Sequence, residues 1–232
     1  VILEVTYSAD PPWPAAADGA GHSLVLARPS FGEASPTAWA ASDLIGGSPG
    51  RAETTAANPY RTVVINEFLA HTDPPDIDSV ELYNYGTAAV NLSGCILTDD
   101  PEAARFVIGS GVTIPAGGFV TYTTNELGFA LNASGETLYL FNPAATKVLD
   151  AVRFEDQENG VSSGRYPDGA PAFYRLASPT FGAENAKPLV SPVVLNEILY
   201  NPISGNDDDE YVELHNRTGV GVSLAGWRLS GG

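Results

Sequence analysis

Three blocks of this 232-residue sequence occur twice, in the same order and at nearly constant spacing. Val63-Val64-Ile65-Asn66-Glu67-Phe68-Leu69 returns as Val193-Val194-Leu195-Asn196-Glu197-Ile198-Leu199, with five of seven positions identical. Asp78-Ser79-Val80-Glu81-Leu82-Tyr83-Asn84 returns as Glu210-Tyr211-Val212-Glu213-Leu214-His215-Asn216, and Asn91–Thr98 returns as Ser223–Ser230. The offset is 130 in the first block and 132 in the other two, so one loop carries a two-residue insertion. A fixed period of this kind means that one folding unit is used repeatedly. The closing part of the unit repeats more loosely. Val148–Val152 leads through Asp168-Gly169 to Ser178–Asn185, and Ile2–Thr6 leads through Asp18-Gly19 to Ser48–Glu53. Residues 1–57 therefore read as the tail of one unit, 58–187 as a complete unit and 188–232 as the head of a third. Pro-containing joints at Asn58-Pro59 and from Lys187 to Pro192 predict short, stiff linkers.

The complete unit has period two. Thr62–Leu69, Ser79–Tyr83, Leu92–Thr98, Arg105–Ile108, Phe119–Thr123, Thr137–Phe141 and Val148–Phe154 are rich in Val, Ile, Tyr, Phe and Thr. Clusters of Gly, Pro, Asn and Asp separate them. About seven short strands in such a span predict an all-β fold, an immunoglobulin-like antiparallel β-sandwich. No window sustains a helical period. Val161–Arg165 before Asp168-Gly169 reads as a further strand followed by a turn. An outline cut out of phase leaves strand edges unpaired, so 1–57 and 188–232 are expected to contact each other, a neighbouring chain or the central unit.

Charge narrows the functions. The chain has 28 acidic residues against 11 basic ones, a formal net charge of −17. Nucleic-acid surfaces are bound by clustered positive charge, so no nucleic-acid partner is expected. No apolar run approaches the length of a membrane-spanning helix, so no direct membrane insertion is expected. There is no Met, position 1 included, which leads to the expectation of an internal piece of a longer product. Cys95 is the single cysteine, which excludes an internal disulfide framework and a multi-cysteine metal site.

The repeated blocks resemble the lamin-tail domain in its bacterial extracellular form. The likeness rests on Val64–Glu67, Val80–Asn84, Asn91–Asp99, Ile114–Gly118, Gly135–Phe141 and Ser178–Asn185, and it covers nearly all of 62–185. The opening blocks recur in 193–230, and 1–57 is similar to the end of another such domain. Cys95 departs from the pattern, which carries Trp there, as at Trp227. The resemblance implies an immunoglobulin-like fold without catalytic residues. It also implies a repeated module of a large exported or cell-surface bacterial protein.

Several residues invite a chemical reading. Asn66, Glu67 and Glu81, with Asn196, Glu197 and Glu213, could be paired carboxylates for acid–base work. The favoured reading is structural, with these side chains hydrogen-bonding loop backbone. Asn84, Gly94, Asn216 and Gly226 belong to the same structural motif. The loops holding Asp73, Asp76 and Asp78, and Asp207, Asp208, Asp209 and Glu210, gather hard oxygen donors of the kind Ca²⁺ takes. Their spacing is not that of an EF-hand, and the second loop is the better candidate. No other cofactor is expected. His22, His71 and His215 offer no zinc pair, Ser23, Ser93 and Ser163 lack a nucleophile-elbow context, and Cys95 reads as a small buried apolar group. Tyr83, Tyr85, Tyr122, Tyr166, Phe173 and Tyr174, with Trp13 and Trp39, are candidates for a glycan-stacking face. Asn91, Asn132 and Asn216 stand in sequons, which matter where the host glycosylates them. The expected function is a non-catalytic structural and interaction module whose partners are neighbouring repeats or other protein modules. The alternative is an accessory module that holds polysaccharide or Ca²⁺ beside an enzyme.

Overall fold

The computed structural model describes residues 4–52 and 58–229. The expected joint at 57/58, the Ile2-Leu3 correspondence, Glu53 and the last repeated position, Ser230, fall partly or wholly outside them. The chain divides into two units, Val1–Pro188 and Leu189–Gly232.

The first unit opens with β1 (His22–Leu26) and β2 (Trp39–Ile45), an antiparallel pair. The central strands follow as β3 (Val63–Leu69), β4 (Ser79–Asn84), β5 (Val90–Asn91), β6 (Ile96–Thr98), β7 (Phe106–Val107), β8 (Thr113–Ile114) and β9 (Phe119–Thr123). A single helical turn, Thr124–Leu127, precedes β10 (Glu136–Phe141), β11 (Val148–Phe154), β12 (Ser163–Arg165) and β13 (Phe173–Arg175). The second unit holds β14 (Val193–Leu199) and β15 (Tyr211–Asn216).

The strands β13-β12-β3-β4-β9 form a five-stranded sheet, β11-β10-β6-β7 a four-stranded one, and every described pairing is antiparallel. This is the all-β, immunoglobulin-like sandwich that the period-two pattern predicts. Alternation along the strands sends Val80 and Leu82, and Leu138 and Leu140, into the space between the sheets. There they meet Ile65, Phe68, Leu97 and Phe154, with the rings of Phe68 and Phe154 stacked at 4.4 Å. The expected strand from Leu92 begins only at Ile96. Leu92–Cys95 is a turn closed by the Cys95 N–H on the Leu92 carbonyl, with Gly94 at φ +82°. A left-handed backbone there favours glycine.

The other face of the four-stranded sheet is apolar too. Ile96, Tyr139, Phe141 and Val148 are buried under Ala20, with Ala16 packed against them. The N-terminal segment supplies that cover and ties itself down with specific contacts. The Tyr139 hydroxyl donates to the Asp18 carbonyl at 3.2 Å, and the Arg153 Nη1 to Asp18 Oδ2 at 2.8 Å. The Val148 N–H donates to Nε2 of buried His22 at 3.0 Å, and Lys147 pairs with Asp43. Residues 4–52 thus dock on the central sandwich, with β1 and β2 as a separate two-stranded sheet.

Candidate functional site

The polar residues that repeat are brought together by one irregularity in β3. Ile65 faces Leu82 and Glu67 faces Glu81, so Asn66 is an extra residue, a β-bulge. The bulge lets Ile65 and Phe68 both point into the core, and it sets Glu67 opposite Glu81 on the other face of the sheet. Two like charges directly opposite each other repel. Both carboxylates are nonetheless fully buried, under the Ser178–Asn185 segment.

That segment is held by hydrogen bonds to the two carboxylates. Glu67 accepts from the Ser162 hydroxyl at 2.6 Å, from the Thr180 N–H at 3.0 Å and from the Thr180 hydroxyl at 3.1 Å. Glu81 accepts from the Gly182 N–H at 2.5 Å and from Asn66 Nδ2 at 3.1 Å. Asn66 Nδ2 also donates to Asp168 at 2.8 Å, and Asn66 Oδ1 accepts the Gly169 N–H at 3.0 Å. Asn185 completes the closure. Its N–H reaches Asp168, and its Nδ2 reaches the carbonyls of Asn66 and Arg165. Burial pushes the Glu81 carboxyl up to about 7, with Glu67 and Asp168 adding repulsion. Burial raises Glu67 in the same direction, against the donors from Ser162 and Thr180.

The bulge also frees the backbone of Ile65 from its ladder. Asp150 Oδ2 takes the Ile65 N–H at 2.8 Å, and the Arg165 Nε donates to the Ile65 carbonyl at 2.7 Å. Asp150 and Arg165 pair at 2.9 Å, and the guanidinium lies 4.6 Å from the Phe173 ring centroid. These residues fasten the edge of one sheet to the other. The acceptors and donors of Glu67, Glu81 and Asn66 are thus directed at loop backbone and neighbouring side chains.

The second copy keeps the local geometry. The register of β14 and β15 slips between Leu195 and Glu197, at the same position as in β3. Asn196 donates to Glu213 as Asn66 does to Glu81. Asn216 Nδ2 reaches the Val220 carbonyl at 2.7 Å, as Asn84 Nδ2 reaches Ala88 at 2.8 Å. Gly226 sits at φ +83°, the counterpart of Gly94. Glu197 and Glu213, however, are exposed, and Glu197 accepts from the Tyr211 hydroxyl at 2.7 Å.

The other sequence candidates are dispersed. Asp207, Asp208 and Asp209 form a 3-10 turn ending at Glu210, with the Asp208 N–H on Asn206 and Ser204 donating to Asp209. Asp73 accepts from Asn159, and Asp78 from Thr72. Among the described residues no group of three or more His, Cys, Asp or Glu side chains is placed to hold a metal ion. Tyr122 is buried in the core, Phe173 packs on Phe68, Tyr83 stacks on Phe119, and Trp13 lies against Trp39. Tyr85 and Tyr174 are exposed. Burial pushes the Cys95 thiol up to about 11, against a hydrogen bond with Tyr60. Sequence reasoning did not single out Asp150, Arg165, Thr180 or Asn185 as site residues. Their only signal was membership of the strand and closing motifs, because their partners lie far along the chain.

A bulged strand pair closed by a buried carboxylate clasp, inside an antiparallel immunoglobulin-like sandwich, defines a structural and interaction module. Residues 56–156 match the model of the Lamin Tail Domain, and this chain carries a lamin-tail-like domain. The clasp donors from Ser162 to Asn185 lie beyond the matched residues, yet they close the same sandwich. No curated protein and no solved structure matches the chain.

Proposed function

We propose that the chain serves as a non-catalytic structural and interaction module within an array of lamin-tail-like repeats in a large exported or cell-surface bacterial protein. The observation that carries this reading is the clasp. The carboxylates best suited by burial to acid–base work accept hydrogen bonds from the closing segment. An acid–base pair would instead need to face a cleft that admits a substrate. Flanking copies of the same blocks support an array, and the acid excess keeps such an array soluble.

Two measurements test it. Antibodies against the central domain are expected to label intact cells that make the parent protein; labelling confined to lysed cells overturns the exported location. Thermal unfolding is expected to be the same in Ca²⁺, Mg²⁺ and EDTA. A ligand that binds only the folded state at 100 times its Kd would add about 2.7 kcal/mol. A Ca²⁺-specific rise of that size would put the accessory ligand-binding reading first.

A further inference from the structure

Glu67 and Glu81 stand opposite each other on β3 and β4, and both are fully buried. Two carboxylates sharing a site cannot both ionise without cost, and the cost grows where water is excluded. The neighbouring charges add to it. Asp168 approaches from the turn after β12, and Glu184, on the covering segment, lies within electrostatic reach of Tyr83 on β4. β9 brings the neutral Thr121 hydroxyl, 3.4 Å from Glu81. The cations of the adjoining strands are engaged elsewhere: Arg165 of β12 with Asp150 and the Ala170 carbonyl, Arg175 of β13 with Glu158. Lys187, past the end of the segment, is exposed. Among the described residues no Lys, Arg or His forms an ion pair with Glu67 or Glu81. Burial outweighs the hydrogen bonds at both, so Glu67 titrates above the usual carboxylate range and Glu81 at about 7.

The cover over this pair is thin. Of the closing segment, Ser178, Pro179, Gly182, Ala183 and Glu184 are exposed, so hydrogen bonds rather than apolar burial hold most of it. Three of its backbone N–H groups end on carboxylates: Thr180 on Glu67, Gly182 on Glu81 and Asn185 on Asp168. The apolar core of Ile65, Phe68, Leu82 and Leu140 lies on the other face of the sheet and does not use the segment. Immediately after Asn185 the chain enters the Pro-containing joint at Lys187, tied back by the Ala177 N–H on the Lys187 carbonyl.

We propose that Ser178–Asn185 is a pH-operated strap, shut over the two opposed carboxylates in mildly acidic medium and released in mildly alkaline medium while the sandwich stays folded. Loss of the shared proton leaves two buried like charges that only water can relieve, and lifting the strap admits water. The strap runs straight into the joint, so its release lengthens the tether between this domain and the following repeat. The module is thus stiff when protonated and slack when ionised. This goes beyond the structural-module reading, which stands whether or not the strap opens.

Native-state hydrogen exchange of the full chain between pH 5 and pH 8, with and without sub-denaturing urea, tests it. Protection factors of the Thr180 and Gly182 amides are expected to fall on the order of 50- to 100-fold across that range, the ratio that a carboxyl near 7 when covered and near 4.5 when open requires. They should hardly respond to urea, because lifting the strap exposes little surface. The Leu138 and Leu140 amides should exchange only through urea-sensitive global unfolding. Glu81→Gln mimics the protonated state and should hold the strap amides nearly constant from pH 5 to pH 8, with circular dichroism confirming the fold. The wild-type pattern decides by itself should that variant not fold. Strap protection that is flat or rises with pH overturns the proposal. So does a urea dependence of Thr180 and Gly182 equal to that of Leu138, which would mean that the segment opens only with the whole domain, and so does a folded Glu81→Gln variant that keeps the wild-type trend.

Discussion

Glu81 shows how much one residue's surroundings decide. In the unfolded chain its carboxyl titrates near 4.5, and in the folded chain near 7. The folded state therefore holds a proton that the unfolded state has released. The associated stability is fully present below the unfolded value and is lost as pH rises through the folded one. Unfolding free energy is expected to fall by on the order of 2–3 kcal/mol between about pH 5 and about pH 8. Glu67 adds in the same direction. Urea unfolding at a series of pH values measures this slope, and Glu81→Gln should flatten most of it. Tyr122 gives a second test at this scale. Its hydroxyl is buried without a hydrogen-bond partner, between the Phe106 ring and the core, and burial pushes it up to about 12. Removing a polar atom whose desolvation is uncompensated is favourable. Tyr122→Phe is expected to stabilise by about 1 kcal/mol, read as a higher urea midpoint at unchanged slope.

Among the elements, the bulge in β3 and the short strand β12 depend on each other. Gly164 stands opposite Glu67, and a Cβ there would come within 2.7 Å of Asn185 Nδ2 and Leu176 Cδ1. Its side-chain space is where the closing segment crosses the sheet. Gly164→Ala should push that segment off the carboxylates and cost about 1–3 kcal/mol. Amide exchange of Thr180 and Gly182 should rise more than that of Leu138 or Leu140 in the opposite sheet. The strands themselves were legible from alternation, Val148–Phe154 to the residue. The bulge was not. A single inserted residue leaves the letters Val-Ile-Asn-Glu-Phe looking like an ordinary strand, and only the partner's register reveals it. The two-residue strands β5 and β8 were equally invisible, since Val90-Asn91 runs into the Leu92–Cys95 turn and Thr113-Ile114 into Pro115 before a period can show, whereas β7 lies within the expected Arg105–Ile108.

For the molecule as a whole, the net charge of −17 sets a background of self-repulsion. Salt screens it, so the melting temperature is expected to rise from low to moderate ionic strength. A scan in chloride salts of rising concentration measures this, and a fall would mean that local ion pairs such as Arg153–Asp18 outweigh the global field. By itself the sequence determined the all-β class, the repeat and the polar positions held in common, because period two, turn residues and duplicated blocks are local properties of the chain. It could not say what Glu67 and Glu81 were for. Their donors, Thr180 and Gly182, lie 113 and 101 residues away, and no local pattern links them. Nor could it say that the N-terminal segment would cover Tyr139 and Phe141, since an apolar outer face reads the same whether its cover comes from this chain or another. Tertiary structure decided both, because burial and hydrogen bonding join residues by position in space.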